Sequence, residues 1–298
     1  MTSPEKSADY FPFKDGRFRL SMGLTPLPAQ QWLPPDDALA SDIAAKQALL
    51  TTRHSDVFQA LPESEAASTE LIRMLAVHLP HHHATHYRAH DGGVSNLATG
   101  EDWDFAESRM HPLDLAGRLV QADLCLMQLI GGRYCLVGAS LCSPARWLLA
   151  EKIGQSLDAI HASVPGYGPT LSRPVGHFFQ ALKPDLIVGR ANWGISDDPT
   201  AFQPMAGPAK SDLDGVNAGE RLWLRIERQT LRRLPETQAI LFTIQTKITR
   251  LDQAIRSSDE ARDFAAVLRD MPDDTKRYKH ITAMGPSLLE WLDRRCTG

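Results

Sequence analysis

The chain has 298 residues, 43% hydrophobic and 23% charged, with a formal net charge of −4. That is enough apolar material for the core of one large domain or two small ones, and it lacks the basic excess of a nucleic-acid binder. The N-terminus reads Met-Thr-Ser-Pro-Glu-Lys without a secretory apolar run, and no stretch reaches the roughly 18 apolar residues of a membrane span, so a cytoplasmic protein is expected.

Up to about Pro35 the chain is rich in Pro, Gly and aromatic residues and reads as irregular structure wrapped around the body. Helical spacing of apolar residues follows from Ala38 to Leu50 and from Ser64 to Leu79, where Ser64 is placed to cap. His81, His82, His83, His86 and His90 then form a histidine-rich loop. The middle of the chain changes period. Leu124 to Ile130, Tyr134 to Ala139, Leu186 to Ile195, Leu222 to Gln229 and Ala239 to Ile248 are short, β-branched and apolar, and they read as strands. Gly131-Gly132 marks a hairpin turn between the first two, and Arg233 to Thr237 a loop between the last two, so the sheet is expected to be antiparallel.

A helix is expected from Pro144 to Ile153, with Ser143 as N-cap, Pro144 at the first position and Gly154 past the end. Further helices are expected from Arg173 to Leu182, Asp259 to Leu268 and Ser287 to Arg294. Strands in the middle and helices at the ends indicate an α+β fold with helices packed on one sheet. The whole of 1–298 reads as one unit: a helical part at about 36–92, a sheet core at about 93–250 and a helical tail at 251–298. The cysteines Cys125, Cys135, Cys142 and Cys296 form no Cys-x-x-Cys pair, which argues against a zinc ribbon or a thioredoxin-type site. They read as small hydrophobes in a reducing compartment. With no Cys-x-x-Cys-His, any haem would be held non-covalently.

His161 follows a short apolar turn and precedes Pro165-Gly166, a setting that can aim an imidazole into a cavity as a metal ligand. A satisfied structural histidine fits the same pattern. His177, beside Phe178 and Phe179 on an amphipathic helix, is the competing ligand. Alternation along Leu222 to Gln229 puts Leu222, Leu224 and Ile226 on one face and Trp223, Arg225, Glu227 and Gln229 on the other. An Arg and a Glu two apart on one face either meet solvent as an ion pair or line a polar pocket. His82 and His86 have helical i, i+4 spacing, but no His-Glu-x-x-His zinc motif is present and a polar loop accounts for the cluster. No Gly-x-Gly-x-x-Gly, no phosphate-binding Gly-Lys loop and no Gly-x-Ser-x-Gly elbow occurs, so nucleotide-binding and serine-hydrolase readings lack support.

Several stretches in one order resemble a known family: Pro12 to Gly16 with Met22-Gly23-Leu24, Leu61 to Glu65, Leu141 to Trp147, Ile160 to Tyr167, Arg190-Ala191-Asn192-Trp193, and Leu224 to Pro235 with Phe242-Thr243-Ile244. Together they resemble the haem-dependent oxidative N-demethylases. The resemblance implies a PAS-like antiparallel sheet with added helices, b-type haem, and oxidation by O2 of a small methylated amine with loss of formaldehyde. It implies electrons from a separate NAD(P)H-linked flavin and iron–sulfur reductase. By the same resemblance His161 is the favoured axial ligand, with His177 second. Arg225 and Glu227 face the open side of the haem, and Trp193, Arg228, Gln229 and Thr230 support its wall or propionates. The sequence departs from the family where Gln245-Thr246-Lys247 replaces an Arg-Thr-Tyr type stretch, which puts a lysine where a tyrosine is expected near the substrate. A haem or small-molecule sensor, and a non-catalytic subunit of an amine-oxidising complex, are the alternative readings.

Overall fold

The computed structural model describes residues 13, 15–105, 108–205, 207 and 212–297. Pro12 and Lys14 of the first family stretch, and the Met1 to Lys6 segment, lie outside the described residues.

The fold is α+β. The main sheet is antiparallel and seven-stranded, in the order β1-β8-β9-β10-β6-β7-β2. Its strands are β1 (Thr25–Leu27), β2 (Phe58–Ala60), β6 (Asp123–Ile130), β7 (Arg133–Ser140), β8 (Ile187–Ser196), β9 (Trp223–Arg233) and β10 (Ile240–Arg250). A second sheet of three strands comprises β3 (Tyr87–His90), β4 (Gly93–Asn96) and β5 (Glu101–Asp104). The Gly131-Gly132 hairpin forms as the sequence indicates: both glycines have positive φ, 56° and 79°, the backbone a two-residue turn between twisted strands requires. The β9–β10 loop is tied down by Glu70, whose carboxylate accepts the backbone N–H groups of Glu236 and Thr237 at 2.7 and 2.8 Å.

The two faces of the sheet are covered differently. One packs Leu124, Leu126 and Leu241 against the helices Leu39–Thr52, Glu65–His82 and Pro112–Leu119. Further along, the same face packs Ile195 and Leu224 against the helices Ser258–Asp270 and Gly285–Thr297. The helix Pro112–Leu119 sits so close to β7 that a Cβ on Gly117 would lie 2.1 Å from the Ser140 hydroxyl. The opposite face carries Cys125, Met127, Val188, Leu231 and Ile244, and residues 141–182 fold over it through Leu149, Leu157, Phe179 and Leu182. No helix among the described residues is long and apolar enough to cross a membrane.

Three local expectations are corrected. The helix from Pro144 to Ile153 does not form; only Leu149–Glu151 makes a 3-10 turn. Tertiary partners outcompete the cap signal. The N–H groups of Cys142 and Ser143 bind Asp123, and the N–H of Arg146 donates to the Gln203 carbonyl at 2.6 Å. Arg146 itself sits at φ 62°, which no helix tolerates. Ser64 does not cap the next helix, because its hydroxyl donates backwards to the Leu61 carbonyl at 2.7 Å. The histidines are not one loop: His81 and His82 end the helix Glu65–His82, and His90 lies in β3. Each of the five expected strands is present, but β9 runs four residues beyond Gln229 because β8 and β10 pair with it to Arg232 and Arg233.

Candidate haem and substrate site

Cross-strand register places Arg190, Asn192 and Gly194 of β8 opposite Gln229, Glu227 and Arg225 of β9, and these opposite Ile244, Thr246 and Ile248 of β10. Because side chains alternate, this row shares one face, the one that residues 141–182 cover. Glu227 is 9% exposed and is held by three donors. Arg225 Nε donates to Oε1 at 3.0 Å, while Asn192 Nδ2 and Gln229 Nε2 donate to Oε2 at 3.1 and 3.2 Å. The carboxylate is therefore fixed in place rather than swinging in solvent.

Arg225 is 4% exposed, and a guanidinium tolerates such burial only when its N–H groups are bonded. Besides Glu227 it donates through Nη1 to the Ala201 carbonyl at 3.0 Å, and through Nη2 to the Ser143 carbonyl and to Thr246 Oγ1 at 3.4 Å. Among the described residues these bonds use four of its five N–H groups. Ser143 is in turn fixed by Asp123, which takes the N–H groups of Cys142 and Ser143 at 2.8 Å each. Asp123 stands 3.9 Å from the ammonium of Lys46, which donates to the carbonyls of Val120 and Ala122 at 2.8 and 2.6 Å. Burial pushes the Asp123 carboxyl above its usual range, against the opposing pull of Lys46 and the two backbone N–H groups. The chain from Lys46 through Asp123 and Ser143 thus sets the position of Arg225.

His161 lies at the end of the helical turn Leu157–Ile160, which Ser156 caps by accepting from the Ala159 N–H at 3.3 Å. Its Nδ1 is 2.8 Å from the Leu157 carbonyl. A carbonyl only accepts, so Nδ1 must carry the proton and Nε2 the lone pair. The chain then reverses through Gly166 at φ 76°, which brings the Tyr167 ring to stack on the imidazole, centroids 4.7 Å apart and planes 14° from parallel. Burial depresses the imidazole's affinity for a proton; the Leu157 carbonyl opposes this, and the charges of Lys152 and Arg190 reinforce it. The Tyr167 hydroxyl is buried and has no hydrogen-bond partner among the described residues. Burial raises its pKa to about 12. A neutral imidazole, with its tautomer fixed by a backbone acceptor and its plane fixed by an aromatic ring, is the donor an axial haem position asks for. The residues present fit that group.

The structure brings together Arg225, Glu227 and Gln229 among the residues singled out in the sequence. It places Trp193, Arg228 and Thr230 on the opposite face. Trp193 meets Phe13 and Phe264 edge-on at 4.8 and 5.6 Å. Arg228 donates to the Gln31 carbonyl, and Thr230 pairs with Thr243 at 2.6 Å. His177 sits on the exposed side of the helix Ser172–Ala181. Lys247 is exposed and opposite Ile226, so it is Thr246, not Lys247, that shares the face of Glu227. Among the described residues no group of three or more His, Cys, Asp or Glu side chains is arranged to hold a metal ion. Sequence reasoning missed Asn192, Asp123 and Thr246. Asn192 lies within the stretch Arg190 to Trp193, and strand alternation alone puts it beside Arg190, but its pairing with Glu227 needs the register.

The family model described as haem-dependent oxidative N-demethylase, alpha subunit-like, matches residues 23–289, most of the chain.

Proposed function

The chain belongs to the haem-dependent oxidative N-demethylase, alpha subunit-like family, and from that membership and the site's geometry we propose that it oxidises a small methylated amine with O2. Residues 1–298 act as one unit in this reading. In this reading His161 Nε2 would hold the haem iron, and Arg190, whose charge reaches His161, would meet a propionate. When bound, b-type haem supplies the oxygen and electron-transfer chemistry that removes the methyl carbon as formaldehyde, with reducing equivalents from a separate NAD(P)H-linked flavin and iron–sulfur reductase.

The protein's own contribution is positioning and charge. Glu227 accepts a hydrogen bond from the amine nitrogen and orients its methyl group, and it takes the nitrogen's proton when the amine arrives protonated. Its three fixed donors hold that geometry before substrate binds. Arg225 is a preorganised positive charge where negative charge develops, and its bonds to Ser143, Ala201 and Thr246 remove the need to reorganise. Residues 141–182 pack over this face of β8, β9 and β10 and restrict the access of water to it.

The observation that carries this reading is the His161 imidazole, its lone pair on Nε2, borne by the segment that packs Leu157 and Ile160 over the sheet face carrying the buried Arg225–Glu227 pair. The test is O2 uptake by haem-loaded protein with a reductant, across a panel of small methylated amines, with formaldehyde measured in parallel. Stoichiometric formaldehyde with one amine supports the reading, and haem binding without amine-dependent O2 uptake contradicts it.

A further inference from the structure

β1 pairs with Ile187, Val188 and Gly189 of β8, and beyond them the outer edge of β8 has no strand neighbour among the described residues. That edge is instead met by the residue just after the helix Asp273–Tyr278. Lys279 Nζ donates to the Trp193 carbonyl at 2.6 Å and to Asn192 Oδ1 at 3.4 Å. It also lies 4.8 Å from the centre of the Trp193 ring, whose other side is packed in the C-terminal core. The Lys279 carbonyl is held from below by Arg146 Nη1 at 3.5 Å.

The Asn192 amide has one carbonyl and one NH2, and they are used in opposite directions. Its NH2 donates to Glu227 and its oxygen faces the ammonium. With the ammonium in place the amide cannot flip without setting two donors against each other and its oxygen against the carboxylate. We propose that Lys279 is a positioning residue of the substrate site, acting through Asn192 to hold Glu227 and to set the charge beside it. This rests on the reading of Glu227 as the group that meets the amine.

The surrounding charges are consistent with that coupling. Facing Lys279 are Glu227 from β9 and Arg190 from β8, with Arg146 at its backbone and Tyr278 and His280 as chain neighbours. Burial depresses the ammonium's pKa to about 8, Glu227 opposes the shift and Arg190 adds to it. Lys279 is thus charged at neutral pH and loses its charge within a mildly alkaline range, under the influence of the Glu227 charge, which favours the ammonium.

Two measurements decide the proposal. The first uses the protein without haem. The rate at which acetic anhydride acylates Lys279, followed by mass spectrometry across pH, reads the fraction of neutral amine. The expected midpoint is near pH 8 in the wild type, and it moves lower in Glu227→Gln, which removes the charge favouring the ammonium. An ordinary lysine midpoint, or one unmoved by Glu227→Gln, would overturn the coupling. The second uses the loaded enzyme. Lys279→Met is expected to lower kcat roughly tenfold with a small change in the amine KM, and Lys279→Arg to restore most of it. A guanidinium does not titrate in this range, so the alkaline limb near pH 8 disappears in Lys279→Arg. An unchanged limb contradicts the proposal. Should no amine be oxidised at all, the proposed function fails, and the acylation midpoints still decide whether Lys279 and Glu227 are coupled.

Discussion

Asp123 accepts the backbone N–H groups of both Cys142 and Ser143 at 2.8 Å, and Ser143 passes its carbonyl to the Arg225 guanidinium. One buried carboxylate therefore does two things. It neutralises Lys46, and it fixes the strand-like segment against which Arg225 is aimed. Removing it leaves a buried ammonium and two unpaired N–H groups. Asp123→Ala is expected to destabilise the fold by about 3–5 kcal/mol, read as a lower urea midpoint. Asp123→Asn keeps the shape and one acceptor oxygen, so its loss is smaller. Equal midpoints for wild type and Asp123→Ala would show that this chain of contacts supports nothing.

Arg225→Lys tests whether the guanidinium matters by shape or by charge alone. A lysine keeps the charge but cannot reach Glu227, Ala201, Ser143 and Thr246 from one planar group. The expected result is a fall in kcat of roughly 10²-fold with haem binding retained. Glu227→Gln is expected to lower kcat by about 10²-fold or more, because a carboxamide places an NH2 against donors it cannot accept from. Steady-state kinetics beside a haem titration separates lost chemistry from lost cofactor.

Lys247 makes a contrasting case. It stands where the sequence resemblance predicts a tyrosine, yet it is exposed and on the face away from Glu227. Lys247→Ala is expected to shift stability by no more than about 0.5 kcal/mol and to leave kcat and KM for the amine unchanged. A change in amine selectivity in this variant would mean that the substrate contacts the other side of β10.

The histidines at the end of the helix Glu65–His82 set the acid limit of stability. His78 is buried against Trp32, edge-on at 4.8 Å, and burial with the neighbouring histidines and Arg232 lowers its pKa to about 3. Burial also lowers that of His83, to about 4. Both stay neutral in the fold, whereas the unfolded chain takes up their protons near pH 6.5. Stability contributed by the neutral forms is present above that value and is lost as pH falls towards 4 and then 3. For His78 alone the slope is about 1.4 kcal/mol per pH unit. Urea midpoints at pH 7 and pH 5 should fall steeply in the wild type and less steeply in His78→Phe. Parallel slopes would show that His78 does not carry the effect.

Much of the fold can be read from period and punctuation. The five expected strands exist because β-branched and apolar runs alternate between Gly and Asp breaks, and the Gly131-Gly132 turn needs only its two positive φ angles. The alternation of Leu224, Arg225, Ile226 and Glu227 likewise foretells which residues share the polar face. The segment Pro144 to Ile153 shows the limit of such reading. Its cap residues are good local signals, but Asp123, Arg225 and Gln203 bind its backbone first, and none of these is a neighbour in sequence. The same holds for Lys279, which follows a short helix with no motif and reaches Asn192 on a β8 edge left open because β1 begins only at Thr25, opposite Gly189. Trp193, Arg228 and Thr230 stand within motifs beside site residues, yet strand alternation turns each of them to the other face.

The most direct test of the central claim is the visible absorption spectrum of protein supplied with haem, for wild type, His161→Ala and His177→Ala. A stoichiometric Soret band in wild type and His177→Ala, lost or displaced in His161→Ala, is the result this structure predicts. No band in wild type, or a band that His161→Ala leaves unchanged, would contradict the assignment of His161 Nε2 as the haem ligand.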